Sequence, residues 1–235
     1  IMTVSEAVDV LLSETMKRLK KINPDILIEF RQSYIGPAIR KYGNMFRAGD
    51  CPADVVMNRV RTTDLRLTSG DTAVHADMLE WNAIESAECA ALQILNVVFS
   101  VVQLSVILRT LSEEHRLMVA FWLGFCRRHQ ETLLRSGFTP EHPELNYPVI
   151  SAESAGERIT AVYEATSVVR IGATAGKTYY VINATGEDSL VLDLRAEPKA
   201  IEMYDTCGRV MTPPPRAAGL IRIRFAKSGL LKLVF

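Results

Sequence analysis

Cysteine is scarce and unpaired in this chain. Its four cysteines, Cys51, Cys89, Cys126 and Cys207, form no CxxC pair and match no zinc-ligand spacing. So few in a chain of this length do not make a disulfide framework, and free thiols point to a reducing, cytoplasmic compartment. Excess charge is also lacking. The 27 basic and 27 acidic residues cancel, so nothing favours an electrostatic grip on nucleic acid or an anionic membrane. The longest apolar stretch, ILNVVFSVVQLSVIL at 94–108, is interrupted by Asn96, Ser100, Gln103 and Ser105. It falls short of the roughly 18–20 apolar residues that span a bilayer. The first residues show no basic segment ahead of an apolar one, so no signal peptide is read there. No Gly-rich phosphate loop, nucleophile elbow or HExxH helix occurs, and neither cofactor nor metal is expected.

What is present is apolar pattern. Hydrophobic residues make up 48% of the 235, enough for one large core or two ordinary ones. Ala7, Val8, Leu11, Leu12, Met16 and Leu19 recur at helical spacing, and Thr3 with Glu6 has the spacing of a capping box. INPD stops this helix, and ILIEF at 26–30 reads as a short strand. A loop broken by Gly36-Pro37 and Gly43 follows, and NMF at 44–46 sits where a second strand is expected. A helix over 53–69 would turn Val55, Val56, Val60, Leu65 and Leu67 inward, and TAVHADM at 72–78 is a third strand candidate. A helix over 83–99 begins with acids, and VVQLSVIL at 101–108 reads as a fourth strand or an extended core segment. Ser112 caps a helix whose acids come first and bases last, as the helix dipole favours.

Helix and strand thus alternate through about residue 137, the signature of parallel βα units. A closed (β/α)₈ barrel takes about 250 residues, so this is either a small open sheet or part of a barrel. The run SGFTPEHPELNYP at 136–148 reads as a linker, and a boundary near residue 150 divides 1–150 from 151–235. Beyond it come short β-rich runs: ITAVYEA, SVVRIGA, KTYYVINA, SLVLDL, AIEMYD, LIRIRFA and LLKLVF. Turn residues separate them, which predicts an antiparallel sandwich.

In parallel α/β folds, functional side chains gather at the C-terminal ends of strands. The three predicted ends carry Arg31, Gln32 and Tyr34, then Arg47, Asp50 and Asp54, then His75, Asp77, Glu80 and Trp81. Carboxylates and amides share hydrogen bonds with hydroxyls, and an indole stacks on an apolar sugar face, so such a pocket suits a polar, uncharged, hydroxyl-rich ligand. Blander roles stand beside these: an Arg47–Asp50 ion pair, Asp54 as a helix N-terminal acid, and His75 as a hydrogen-bonded core histidine.

Taken in order, ILIEFRQSYIGP, FRAGDCPAD, TAVHADM and VFSVVQLSVILRTLSEEH, followed by a β-rich end, the chain resembles the C-terminal half of an α-galactosidase of glycoside hydrolase family 36. The resemblance implies the last strands of a (β/α)₈ TIM barrel followed by an antiparallel β-sandwich. It implies retaining hydrolysis of α-linked galactosides. Asp50 matches the general acid/base of the family's Ser-Asp-Asp motif, and His75 matches the histidine of the next strand. Arg47 matches a sugar-binding arginine by neighbourhood. Arg31 and Gln32 fall where the family has a cysteine and a Gly-rich sugar-binding turn, from which this sequence departs. Asp54 and Trp81 complete the expected substrate-binding set.

Retention requires two carboxylates roughly 5–5.5 Å apart. The acid starts protonated, a state that burial and a neighbouring negative nucleophile favour. The family's nucleophile lies on an earlier strand in a Lys-x-Asp motif, and none precedes Ile26. The expected partners are therefore a carbohydrate substrate and an N-terminal half of the barrel carrying the nucleophile, with the chain alone inactive. A homo-oligomer is left open. The competing expectation is a non-catalytic carbohydrate-binding protein.

Overall fold

The computed structural model describes residues 2–31, 37–51 and 53–235. Gln32 and Tyr34, two of the strand-end residues, lie outside the described residues. The protein is a mixed α/β molecule in which helices and a small parallel sheet precede two further sheets.

Helix α1 (Val4–Ile22) begins at Thr3, whose side chain and that of Glu6 exchange the two bonds of a capping box. Strands β1 (Glu29–Arg31), β2 (Met45–Arg47) and β3 (Ala73–His75) form a parallel sheet in that order. Helix α2 (Val55–Ser69) connects β2 to β3, and α3 (Ala87–Leu95) follows β3. The predicted fourth strand is reduced to two parallel bridges, His75 to Val101 and Leu79 to Leu104. Helices α4 (Glu113–Arg128) and α5 (Gln130–Arg135) complete the helical part.

The face that α2 buries differs from the predicted one. Val56 and Leu67 are exposed, while Asn58, Arg59, Thr62 and Thr63 are buried beside Leu65. Polar burial is stable here because partners exist. Arg59 donates to Asn96 Oδ1 at 2.6 Å and to the Asn146 carbonyl at 3.0 Å, and its guanidinium lies 4.3 Å from the Tyr163 ring centre. Arg66 donates to the carbonyls of Phe99 and Leu133 and stacks on Phe138. Burial pulls its guanidinium down to about 10.

The β-rich part holds β4 (Gly137–Glu141), β5 (Val149–Glu153), β6 (Glu157–Val162), β7 (Val168–Ile171), β8 (Thr178–Asn183) and β9 (Ser189–Leu194). They are followed by β10 (Ala200–Tyr204), β11 (Val210–Met211), β12 (Gly219–Arg224) and β13 (Leu230–Val234). Seven of these strands make one sheet, ordered β11-β10-β13-β8-β6-β5-β4, and β12-β9-β7 make another. Their apolar residues meet in a shared cluster that includes Val162, Val181 and Leu231 from the large sheet and Ile171, Leu192 and Ile223 from the small one. Neighbouring residues of the large sheet, such as Ile150, Ile159, Ala161 and Ile182, instead join Met118, Trp122 and Phe125 of α4 and Ile94 of α3. Alternation of side chains along a strand thus covers the large sheet on both faces.

Two expectations change. Each sheet contains a parallel pair, β6 with β8 and β7 with β9. The chain alternates between sheets from β6 to β9, so each return crosses over and points the same way. The expected linker contains β4, which pairs with β5 through Pro140↔Ile150, and the boundary drawn near residue 150 falls inside β5. Pro140 is tolerated because β4 is an edge strand, where alternate N–H groups face away from the ladder.

Candidate functional site

The three-stranded sheet has one apolar and one charged face. Phe30, Phe46 and Val74 stand on one side and pack with Leu65 and Ile39. The alternate positions, Glu29 and Arg31 on β1, Arg47 on β2 and His75 on β3, stand on the other. Register places Arg31, Arg47 and His75 in one row at the C-terminal ends of the strands, with Glu29 one step before it. The chain then leaves the sheet through Asp50 and Asp77.

Arg47 is the hub. Its side chain is 13% exposed, with Nη2 2.9 Å from Asp50 Oδ1 and Nη1 2.9 Å from Asp77 Oδ1. One planar fork therefore holds two carboxylates, a geometry an ammonium group does not offer. Arg31 Nη2 reaches the other oxygen of Asp50 at 2.7 Å. Asp77 Oδ1 also accepts the Met78 N–H at 2.9 Å, which orients it toward Arg47. Glu29 Oε2 lies 3.0 Å from His75 Nε2, and Glu29 Oε1 lies 3.8 Å from Arg47 Nε. His75 is buried, and its backbone carbonyl accepts the Ala48 N–H, tying β3 to the loop that carries Asp50.

Of the residues expected from sequence, Arg31, Arg47, Asp50 and His75 thus converge. Asp50 is 43% exposed and ion-paired to both arginines, an open setting rather than the buried one expected of a general acid. Asp54 caps α2, accepting the Met57 N–H at 2.9 Å. Trp81 packs into the core against His115, edge to face at 6.1 Å between ring centres. Its Nε1 has no hydrogen-bond partner among the described residues. Glu29 was not among the expected site residues, although the period of two in IEFR puts it on the face of Arg31. Asp77 stands at a strand end in the sequence, and the fork of Arg47 gives it a place in the site.

Three carboxylates, two guanidiniums and an imidazole make a site rich in paired donors and acceptors. It can take hydroxyl groups between them. Among the described residues, no group of three or more His, Cys, Asp and Glu side chains is placed to hold a metal ion. No described helix is long and apolar enough to cross a membrane. No protein-family model matches the chain, and no curated protein sequence matches it significantly.

Proposed function

We propose that this chain is the C-terminal portion of a retaining glycoside hydrolase acting on α-linked galactosides. In this reading the part up to α5 is the last stretch of a (β/α)₈ barrel, and the strands from β4 onward are a β-sandwich. Asp50 is the general acid/base, and Arg31 and Arg47 frame a sugar, with the buried His75 behind them holding Glu29. The observation that carries the reading is the convergence of Arg31, Arg47, Asp50, His75 and Asp77 at the C-terminal ends of three adjacent parallel strands, where barrel enzymes place their chemistry. Strand β1 is an edge of its sheet, and a barrel leaves no edge unpaired. A strand pairing there would supply the nucleophile that retention requires. A cytoplasmic setting belongs to the same proposal, supported by four free thiols.

The test uses the full-length parent and its Asp50→Asn variant. Hydrolysis of p-nitrophenyl α-galactoside by the parent is expected. The variant should lose turnover on natural galactosides by a factor of about 10²–10⁴, the usual contribution of general acid–base catalysis, and lose far less on the activated substrate. Unchanged turnover on natural substrates would sink the assignment.

One observation favours a second reading, that of a carbohydrate-binding protein. Asp50 is bonded to two guanidiniums and open to solvent, which suits an acceptor of hydroxyl hydrogen bonds better than a proton donor. Calorimetric binding of galactose by this chain, with no hydrolysis by the parent, would select it.

A further inference from the structure

We propose that Glu29 and His75 form a proton-holding pair that positions Arg47. The proposal rests on the functional reading only for what Arg47 holds; the proton itself follows from the geometry.

His75 Nδ1 lies 2.7 Å from the Ala76 carbonyl oxygen, and His75 Nε2 lies 3.0 Å from Glu29 Oε2. A carbonyl only accepts, so Nδ1 carries a hydrogen and donates it. A carboxylate also only accepts, so a second hydrogen must lie between Nε2 and Oε2. A neutral imidazole and an ionised carboxylate bring one hydrogen to these two contacts. The pair therefore holds one proton more, either as an imidazolium or as a carboxylic acid donating to Nε2.

The charges facing it accept that proton. Glu29 and Arg31 come from β1, Arg47 from β2, Asp50 from the loop after β2 and Asp77 from the segment after β3. Three carboxylates oppose two guanidiniums in this set, and one further proton balances it. The pair also explains an orphan. Arg47 Nε is buried with no hydrogen-bond partner among the described residues, and Glu29 Oε1 faces it at 3.8 Å. Holding Oε2 on His75 keeps Oε1 before Nε. Both Nη groups of Arg47 then stay on Asp50 and Asp77. Glu29 is thus a positioning residue acting through Arg47.

NMR on the unliganded chain, with nitrogen-15 at histidine and arginine and carbon-13 at the glutamate carboxyl, tests this near neutral pH. In the wild type, His75 should show hydrogens on both ring nitrogens, or one on Nδ1 together with a protonated Glu29 carboxyl. In Glu29→Gln the amide N–H can donate to Nε2, so His75 should become neutral with its single hydrogen on Nδ1. The Arg47 Nε–H resonance should shift in the same variant. A neutral His75 beside an ionised Glu29 in the wild type would overturn the proton assignment, and needs no variant to fold. An unmoved Arg47 resonance in Glu29→Gln would overturn the positioning role. No sugar is present, so failure of the glycosidase reading leaves both outcomes readable.

Discussion

Asp50 and Asp54 are the same side chain four positions apart, and their surroundings divide their roles. Asp54 satisfies a free amide at the start of α2. Asp54→Ala should cost about 1 kcal/mol of stability, read as a lower urea midpoint. The thiols divide in the same way. Burial pushes Cys126 and Cys207 up to about 12, and for Cys207 the Glu114 carboxylate adds to it. A thiol held protonated by the fold contributes stability that is fully present below its unfolded value of about 8.5 and is lost as pH rises toward 12. The denaturant midpoint should therefore fall between pH 9 and 11, and Cys126→Ala should flatten part of that fall. Asp50, Arg31, Arg47 and His75 were legible in sequence because a charged residue at a strand end is a local pattern. The setting of Trp81 was not, because its ring meets His115 from a helix 34 positions away.

At the scale of elements, capping and periodicity located α1, α2, α3 and α4, but not the faces they bury. Helix α1 buries no residue, and Val4, Val8 and Leu11 stay exposed. Asp9 ties it to the body through Lys41 at 2.6 Å and through Tyr42. Its amides should exchange far faster than those of α3 and α4, whose cores are closed; hydrogen-exchange mass spectrometry reads this, and equal protection would contradict it. Helix α2 depends instead on arginine. Arg66→Ala removes two carbonyl contacts and a ring stack and should cost about 2–3 kcal/mol. Arg66→Lys should restore only part of it, because an ammonium does not stack as a plane on Phe138. No periodicity argument places Arg66 inward, since the carbonyls that receive it lie 33 and 67 positions away.

Across the whole molecule, the seven-stranded sheet is the shared wall. One face packs on α3 and α4 and the other on the small sheet. Unfolding by calorimetry should therefore show one transition, and Trp122→Ala, which removes a fully buried ring, should lower it by about 3–5 kcal/mol. Two separable transitions would show that the helical and β-rich parts stand alone. By itself the sequence determined most helices and strands, and it marked the strand ends that carry charge. Capping, turn residues and side-chain period act over a few positions, so they can be read along the chain. Only the tertiary structure decided that Pro140 sits in an edge strand, that one sheet is covered on both faces, and that Glu29 bonds to His75. Each of these depends on which residues meet across tens of positions, and that is settled by packing and hydrogen-bond satisfaction rather than by local pattern.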